Sequence, residues 1–140
     1  MKPSLYCTTP ALSFDDILLV PSESHIESRS LPNLSTKFTR NVSIANPIIS
    51  TNMSTVTESL MMYNMWKYGS FGILHRFMDT DKFKSEMKEF VTRADKDDLS
   101  TVPIEAAVSI GVKGEEIDNG WLELPCLKVV VVDVAHGDSG

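Results

Sequence analysis

The chain has 140 residues, 42% of them hydrophobic and 23% charged, with a formal net charge of -6. That length suffices for one domain with a real core, and the acidic balance argues against nucleic acid as a main partner, because phosphate binding needs a basic surface. Two cysteines, Cys7 and Cys126, make neither a disulfide framework nor a zinc spacing.

A reducing, cytoplasmic compartment is therefore the default. The N-terminus lacks the apolar run of a signal peptide, and no segment is long and apolar enough to span a bilayer. In chain order, Leu12 to Val20 is apolar and ends at Pro21, which predicts a short strand or turn that packs. The adjacent Asp15 and Asp16 suit a turn or a metal, with the turn favoured because no other ligand is near in sequence. Ser22 to Pro32 is polar and loop-like. Within it, Arg29 between Ser28 and Ser30 either holds a phosphate or carboxylate or is a solvated surface residue.

Residues 37–44 read as an extended pair or short hairpin, and Pro47 to Ser50 as a compact buried strand. The small polar run Thr51-Asn52-Met53-Ser54 follows. Thr55 to Glu58 fits the capping box T-x-x-E. It predicts a helix that buries Leu60, Met61, Met65 and Trp66 and stops at Gly69. Phe71 to His75 is the next strand. The His75-Arg76 pair at its carboxyl end either meets an anionic ligand or contains a buried histidine. Thr80 caps a second helix, with Phe83, Met87, Phe90 and Val91 on one face and a frayed end from Ala94 to Asp98.

Ala106 to Ile110 is a third strand, and residues 115–123 predict a short helix broken at Asn119-Gly120. Val129 to Val132 are too apolar for a half-solvated strand and predict one buried on both faces. The polar run Asp133 to Ser139 would lie at its carboxyl end, where α/β folds bind ligands. The order is βαβαβ(α)β after an N-terminal extension over residues 1–46. Strands alternating with helices imply a parallel sheet with right-handed crossovers. A closed (β/α)₈ barrel needs roughly 250 residues, so residues 47–140 would supply its first four units. An open four-stranded α/β sheet is the alternative. On this reading the chain is the front part of an enzyme.

Several segments together resemble the inosine monophosphate dehydrogenase and guanosine monophosphate reductase family. They are Phe14-Asp15-Asp16-Ile17-Leu18-Leu19-Val20-Pro21, Ser28-Arg29-Ser30, Pro47 to Val56 (PIISTNMSTV), Gly72-Ile73-Leu74-His75-Arg76-Phe77 and Asp133-Val134-Ala135-His136-Gly137. The resemblance implies the N-terminal half of a (β/α)₈ TIM barrel. It also implies redox chemistry at C2 of a purine 5′-monophosphate, in which a cysteine thiolate attacks that carbon and a nicotinamide cofactor takes or gives hydride.

The dehydrogenases usually carry a pair of regulatory CBS modules between the second and third barrel strands, and here residues 76–105 leave room for one helix only. Asn52-Met53 is similar to the reductases, whereas Thr55 to Glu58 is similar to the dehydrogenases. The resemblance thus favours a GMP reductase, which converts GMP to IMP and ammonia with NADPH. The alternatives are an IMP dehydrogenase without CBS modules, which uses NAD to make XMP, and a non-catalytic half-barrel that binds nucleotide or another subunit.

By the same resemblance, Ser28, Arg29, Arg76, Asp133, Val134 and Ala135 would contact the cofactor, and Thr51 and Met53 would line the purine pocket. A homo-oligomer is implied, a tetramer in the full-length family. No metal is implied. Ser54 and Asp138 depart from the residues common at their positions, aspartate at the first and histidine, tyrosine or asparagine at the second. The family's nucleophile lies in a GxGSxCxT loop downstream of Asp-Ala-His-Gly. Neither Cys7 nor Cys126 has that context, so both read as structural thiols. No catalytic residue is assigned, and the chain is expected to be inactive alone.

Overall fold

The computed structural model describes residues 10–97, 102–112 and 120–135. By contacts the chain divides into two units, Met1–Pro32 and Asn33–Gly140. In the first, Phe14–Asp16 forms one 3-10 turn. The Ser13 N–H and hydroxyl donate to Asp16 Oδ2 at 2.8 and 3.0 Å. These bonds, the backbone one first, hold the Asp16 carboxyl below its usual range. The aspartate pair therefore serves a turn. Phe14, Leu18, Leu19 and Val20 are exposed; within this unit a three-residue turn followed by extended chain builds no second layer to bury them.

The second unit opens with a hairpin, β1 (Thr36–Lys37) antiparallel to β2 (Ser43–Ile44). Helix α1 (Ser59–Lys67), β3 (Ile73–Leu74), α2 (Thr80–Lys96), β4 (Ala106–Ile110) and β5 (Leu127–Val132) follow. Strands β3, β4 and β5 are parallel and neighbour one another in sequence order. Leu74, Ala106 and Val108 face Met62 and Trp66 of α1 and Phe83, Met87, Phe90 and Ala94 of α2. Ile73, Ala107 and Val129 face the other way, with Ile44 and Phe71. This is the two-sided burial that a parallel sheet needs.

Two expected strands differ from the reading. Pro47 to Ser50 makes a single parallel bridge, Ser50 to Gly72, and Ile48 is 66% exposed. Pro47 has no N–H for a ladder, so the pairing is confined to Ser50, which donates to Phe71 O and accepts from Ile73 N–H, each at 3.1 Å. The valine strand is buried on one face only. Val129 is buried, while Val130 and Val132 are 40% and 56% exposed. Among the described residues no strand pairs with the outer edge of β5, and Val130 and Val132 belong to neither buried cluster.

The start of α1 also departs from the capping box. Glu58 occupies the cap position, but its side chain does not cap. Instead, buried Glu86 of α2 reaches across to accept the Ser59 N–H at 2.7 Å and pairs with Lys82. The threonine nearest the helix has another role. Buried Thr57 donates to the Thr51 carbonyl at 2.5 Å and contacts the Ser50 hydroxyl at 2.9 Å, closing the 51–56 turn on itself.

With the first turn shifted, Met62 rather than Met61 enters the core beside Trp66, and Leu60 is exposed. Gly69 ends the helix as expected, at φ 74°, and a side chain there would meet Ala45 Cβ at 2.9 Å. The cap of α2 is Asp79, not Thr80; its carboxylate accepts the Lys82 N–H at 2.8 Å. This helix does not fray at Ala94. Ala94 is buried, and Asp97 just beyond the helix accepts from Tyr63 Oη at 2.6 Å and pairs with Lys67 Nζ at 2.9 Å. Of residues 115–123, Trp121–Glu123 form a 3-10 turn, and 113–119 lie outside the described residues.

Burial pushes the Glu86 carboxyl up, but Lys82 and the Ser59 amide outweigh it and hold the group below its usual range. A carboxyl so lowered stabilises the fold above its unfolded-state pKa, and that stability is lost as pH falls through the folded-state value. Glu86→Ala should lower the unfolding free energy by about 1–3 kcal/mol at neutral pH. The gap from wild type should shrink below about pH 4, as measured by denaturant titration across pH. Thr57→Val keeps the shape but removes both bonds. It should cost about 1–2 kcal/mol and speed amide exchange in residues 51–56 ahead of the rest of the sheet.

Candidate functional site

Parallel strands end at one level, so the segments that leave them meet there. The Thr51 to Ser54 run follows the bridge at Ser50, His75-Arg76-Phe77 follows β3, and Asp133 follows β5. Asp133 N–H still bonds to Ile110 O at 2.8 Å, which extends the β4–β5 ladder to the very edge of the site. Thr51, Asn52, Met53, Ser54, Phe77 and Asp133 line an open pocket of about 400 Å³. Arg76 Nε lies 3.5 Å from Asp133 Oδ2, both side chains about a third exposed. The Arg76 guanidinium carbon also sits 4.6 Å from the centre of the Phe77 ring, within cation–π reach.

The two readings of the His-Arg pair now separate. His75 is 3% exposed and belongs to the interior, while Arg76 lies against Asp133 and Phe77, which line the pocket. The structure thus brings together four of the residues picked out from the sequence: Thr51, Met53, Arg76 and Asp133. Val134 is half-buried and Ala135 exposed, directly after Asp133. Ser28 and Arg29 belong to the first unit and are exposed there. The Ser28 and Ser30 hydroxyls meet at 2.8 Å around the turn that carries Arg29. Residues 136–140, including Asp138, and Cys7 lie outside the described residues.

Sequence reasoning gave no role to Asn52 or Phe77, although both sit inside the matched segments. It also overlooked the Arg76–Asp133 pair, which joins positions 57 residues apart. Only strand register reveals that contact. The half-buried Cys126 lies away from this pocket, beside Phe83, Met87, Val91 and Leu124 in an apolar groove of about 410 Å³. Burial pushes its thiol up, so little thiolate forms and nucleophilic work does not suit it. No helix among the described residues is long and apolar enough to cross a membrane.

The pocket can offer a cation, a carboxylate and an aromatic ring side by side. Guanidinium suits phosphate oxygens, a carboxylate accepts from hydroxyls, and a ring offers a face to a planar base.

Comparison with known proteins identifies the family of the chain as a whole. Residues 11–140 match the sequence model of the IMP dehydrogenase / GMP reductase domain. An inosine-5′-monophosphate dehydrogenase of Nitrosopumilus maritimus is 49% identical over 76 residues, 54% of this chain and 16% of that protein. One from Cryptosporidium parvum is 41% identical over 90 residues, 62% of this chain and 22% of that protein. A GMP reductase of Leishmania donovani is 39% identical over 79 residues, 56% of this chain and 16% of that protein.

The crystal structure of inosine 5′-monophosphate dehydrogenase from Legionella pneumophila superposes with a TM-score of 0.73 at 33% identity. It covers 94% of this chain and 38% of that one. The chain therefore matches about a fifth or less of the length of these curated relatives. From the domain match over residues 11–140 and the shared fold, the chain belongs to the IMP dehydrogenase / GMP reductase family.

Proposed function

We propose that the chain forms the first four β/α units of a TIM barrel, residues 47–140, preceded by an N-terminal extension, residues 1–46. We further propose that the barrel is a cytoplasmic GMP reductase, converting GMP to IMP and ammonia with NADPH. The observation that carries this is Arg76 beside Asp133 at a pocket walled by Thr51 to Ser54 and Phe77. A phosphate-bearing dinucleotide needs a fixed cation, an acceptor for ribose hydroxyls and a flat apolar face, and Arg76, Asp133 and Phe77 supply one each.

The bound cofactor would supply hydride. Arg76 and Asp133 neutralise each other across a partly exposed gap, an interaction worth about 1 kcal/mol or less, so ligand contacts can replace it at small cost. Ser28, Arg29, Val134 and Ala135 complete the cofactor contacts in this reading, and Thr51 and Met53 meet the purine. The connection from β3 to β4 contains one helix, α2, which favours the branch without regulatory modules. Among the described residues the outer edge of β5 has no strand partner, which favours assembly with another strand or a second copy.

A second reading, an IMP dehydrogenase using NAD, is favoured by the 49% identity to the Nitrosopumilus dehydrogenase. The test is to express the whole open reading frame that encodes these residues and assay both reactions. NADPH loss with GMP, together with ammonia release, is the expected result. NADH formation from IMP moves the protein to the second reading, and neither signal from folded protein overturns both. Arg76→Met should raise KM for NADPH about tenfold or more, because a charged hydrogen-bond partner is lost.

A further inference from the structure

The buried histidine behind the pocket has a defined proton. His75 Nδ1 accepts the Phe77 N–H at 3.1 Å. A ring nitrogen that accepts carries no hydrogen, so the proton of the neutral ring is on Nε2. Among the described residues Nε2 has no hydrogen-bond partner, and Glu58 Oε1 lies 4.0 Å away. Glu58 Oε1 also lies 3.4 Å from Lys82 Nζ. Lys82 pairs with Glu86, which holds the Ser59 amide. The charged groups around the ring are thus Glu58 just before α1, Lys82 and Glu86 of α2, and its chain neighbour Arg76 with Asp133 beyond it.

Both walls of the pocket connect to this cluster. One wall, residues 51–54, closes through Thr57, next to Glu58. The other is the turn that carries Arg76 and Phe77, and the rings of His75 and Phe77 stack with centroids 6.4 Å apart.

We infer that His75 is a positioning residue of the pocket: Nδ1 fixes the Arg76-Phe77 turn, and the Nε2 proton faces Glu58 at the base of the opposite wall. His75 touches no ligand in this account; it acts through Arg76 and Phe77. The inference rests on the function proposed above only for the identity of the ligand.

Two measurements test it. Long-range ¹H–¹⁵N correlations of His75 in labelled protein need no variant. Protonated Nε2 with bare Nδ1 is expected, and the opposite tautomer overturns the inference. Amide exchange of Phe77 is then compared in wild type, His75→Leu and His75→Asn, since asparagine Oδ1 can take the place of Nδ1. Exchange about tenfold faster in His75→Leu, restored in His75→Asn to within about threefold of wild type, is expected. Equal exchange in all three, or no rescue by asparagine, overturns it. A parallel NADPH titration should show weaker binding by His75→Leu and recovery in His75→Asn. If wild type binds no NADPH, the proposed function fails, while the tautomer and exchange results still decide the role of His75.

Discussion

Parallel pairing of β3, β4 and β5 is the constraint on which the rest depends. Register sets Ile73 beside Ala107 and Ala107 beside Val129, so the segments leaving these strands emerge together. Residues distant in sequence, such as Arg76 and Asp133, meet there. The alanines of β4 make this possible. Ala106 and Ala107 are almost fully buried, and their small side chains let the helices lie close on one face and the hairpin residues on the other. Gly72 does the same beside α1, where an added Cβ would lie 2.9 Å from Met62 Cα.

A second layer of control comes from polar groups that are buried but paired. Ser109 donates to the Leu74 carbonyl at 2.9 Å, Ser70 to the Ile48 carbonyl, and Thr57 to Thr51. Ser109 ties β4 to the end of β3, Ser70 ties the chain entering β3 to the segment before Ser50, and Thr57 ties the 51–56 turn to its base. A buried hydroxyl without such a partner would be costly, so these side chains restrict the loops to few conformations. The site is accordingly built from short loops pinned at their bases, with Arg76, Phe77 and Asp133 presented at the rim. Such preorganisation suits a ligand that must be held in one orientation.

Much of the fold was legible in the sequence because local signals agreed with the tertiary answer. The i, i+4, i+7 pattern of Phe83, Met87 and Phe90 named the buried face of α2, and the β4 boundaries followed from its apolar run. Errors arose where a distant partner decided the outcome. The T-x-x-E pattern at Thr55 looked like a cap, but Glu86, 27 residues beyond Ser59, supplies it. Val129 to Val132 looked buried on both faces, yet burial depends on a covering layer that no single strand reveals. Within the site, strand ends pointed to Met53, Arg76 and Asp133, and the family resemblance added Thr51. The contact of the Phe77 ring and backbone with His75 emerged only from geometry, because a stacked ring and an accepting ring nitrogen leave no pattern in sequence.

The central claim is that these strand ends form a nucleotide site. Titrating NADPH, and separately GMP, into ¹⁵N-labelled protein while following every amide tests it most directly. The shifts are expected to cluster at Asn52, Met53, Phe77 and Asp133, with Arg76 moving under NADPH. Shifts confined to the outer face of α2, or none at millimolar nucleotide, would contradict it.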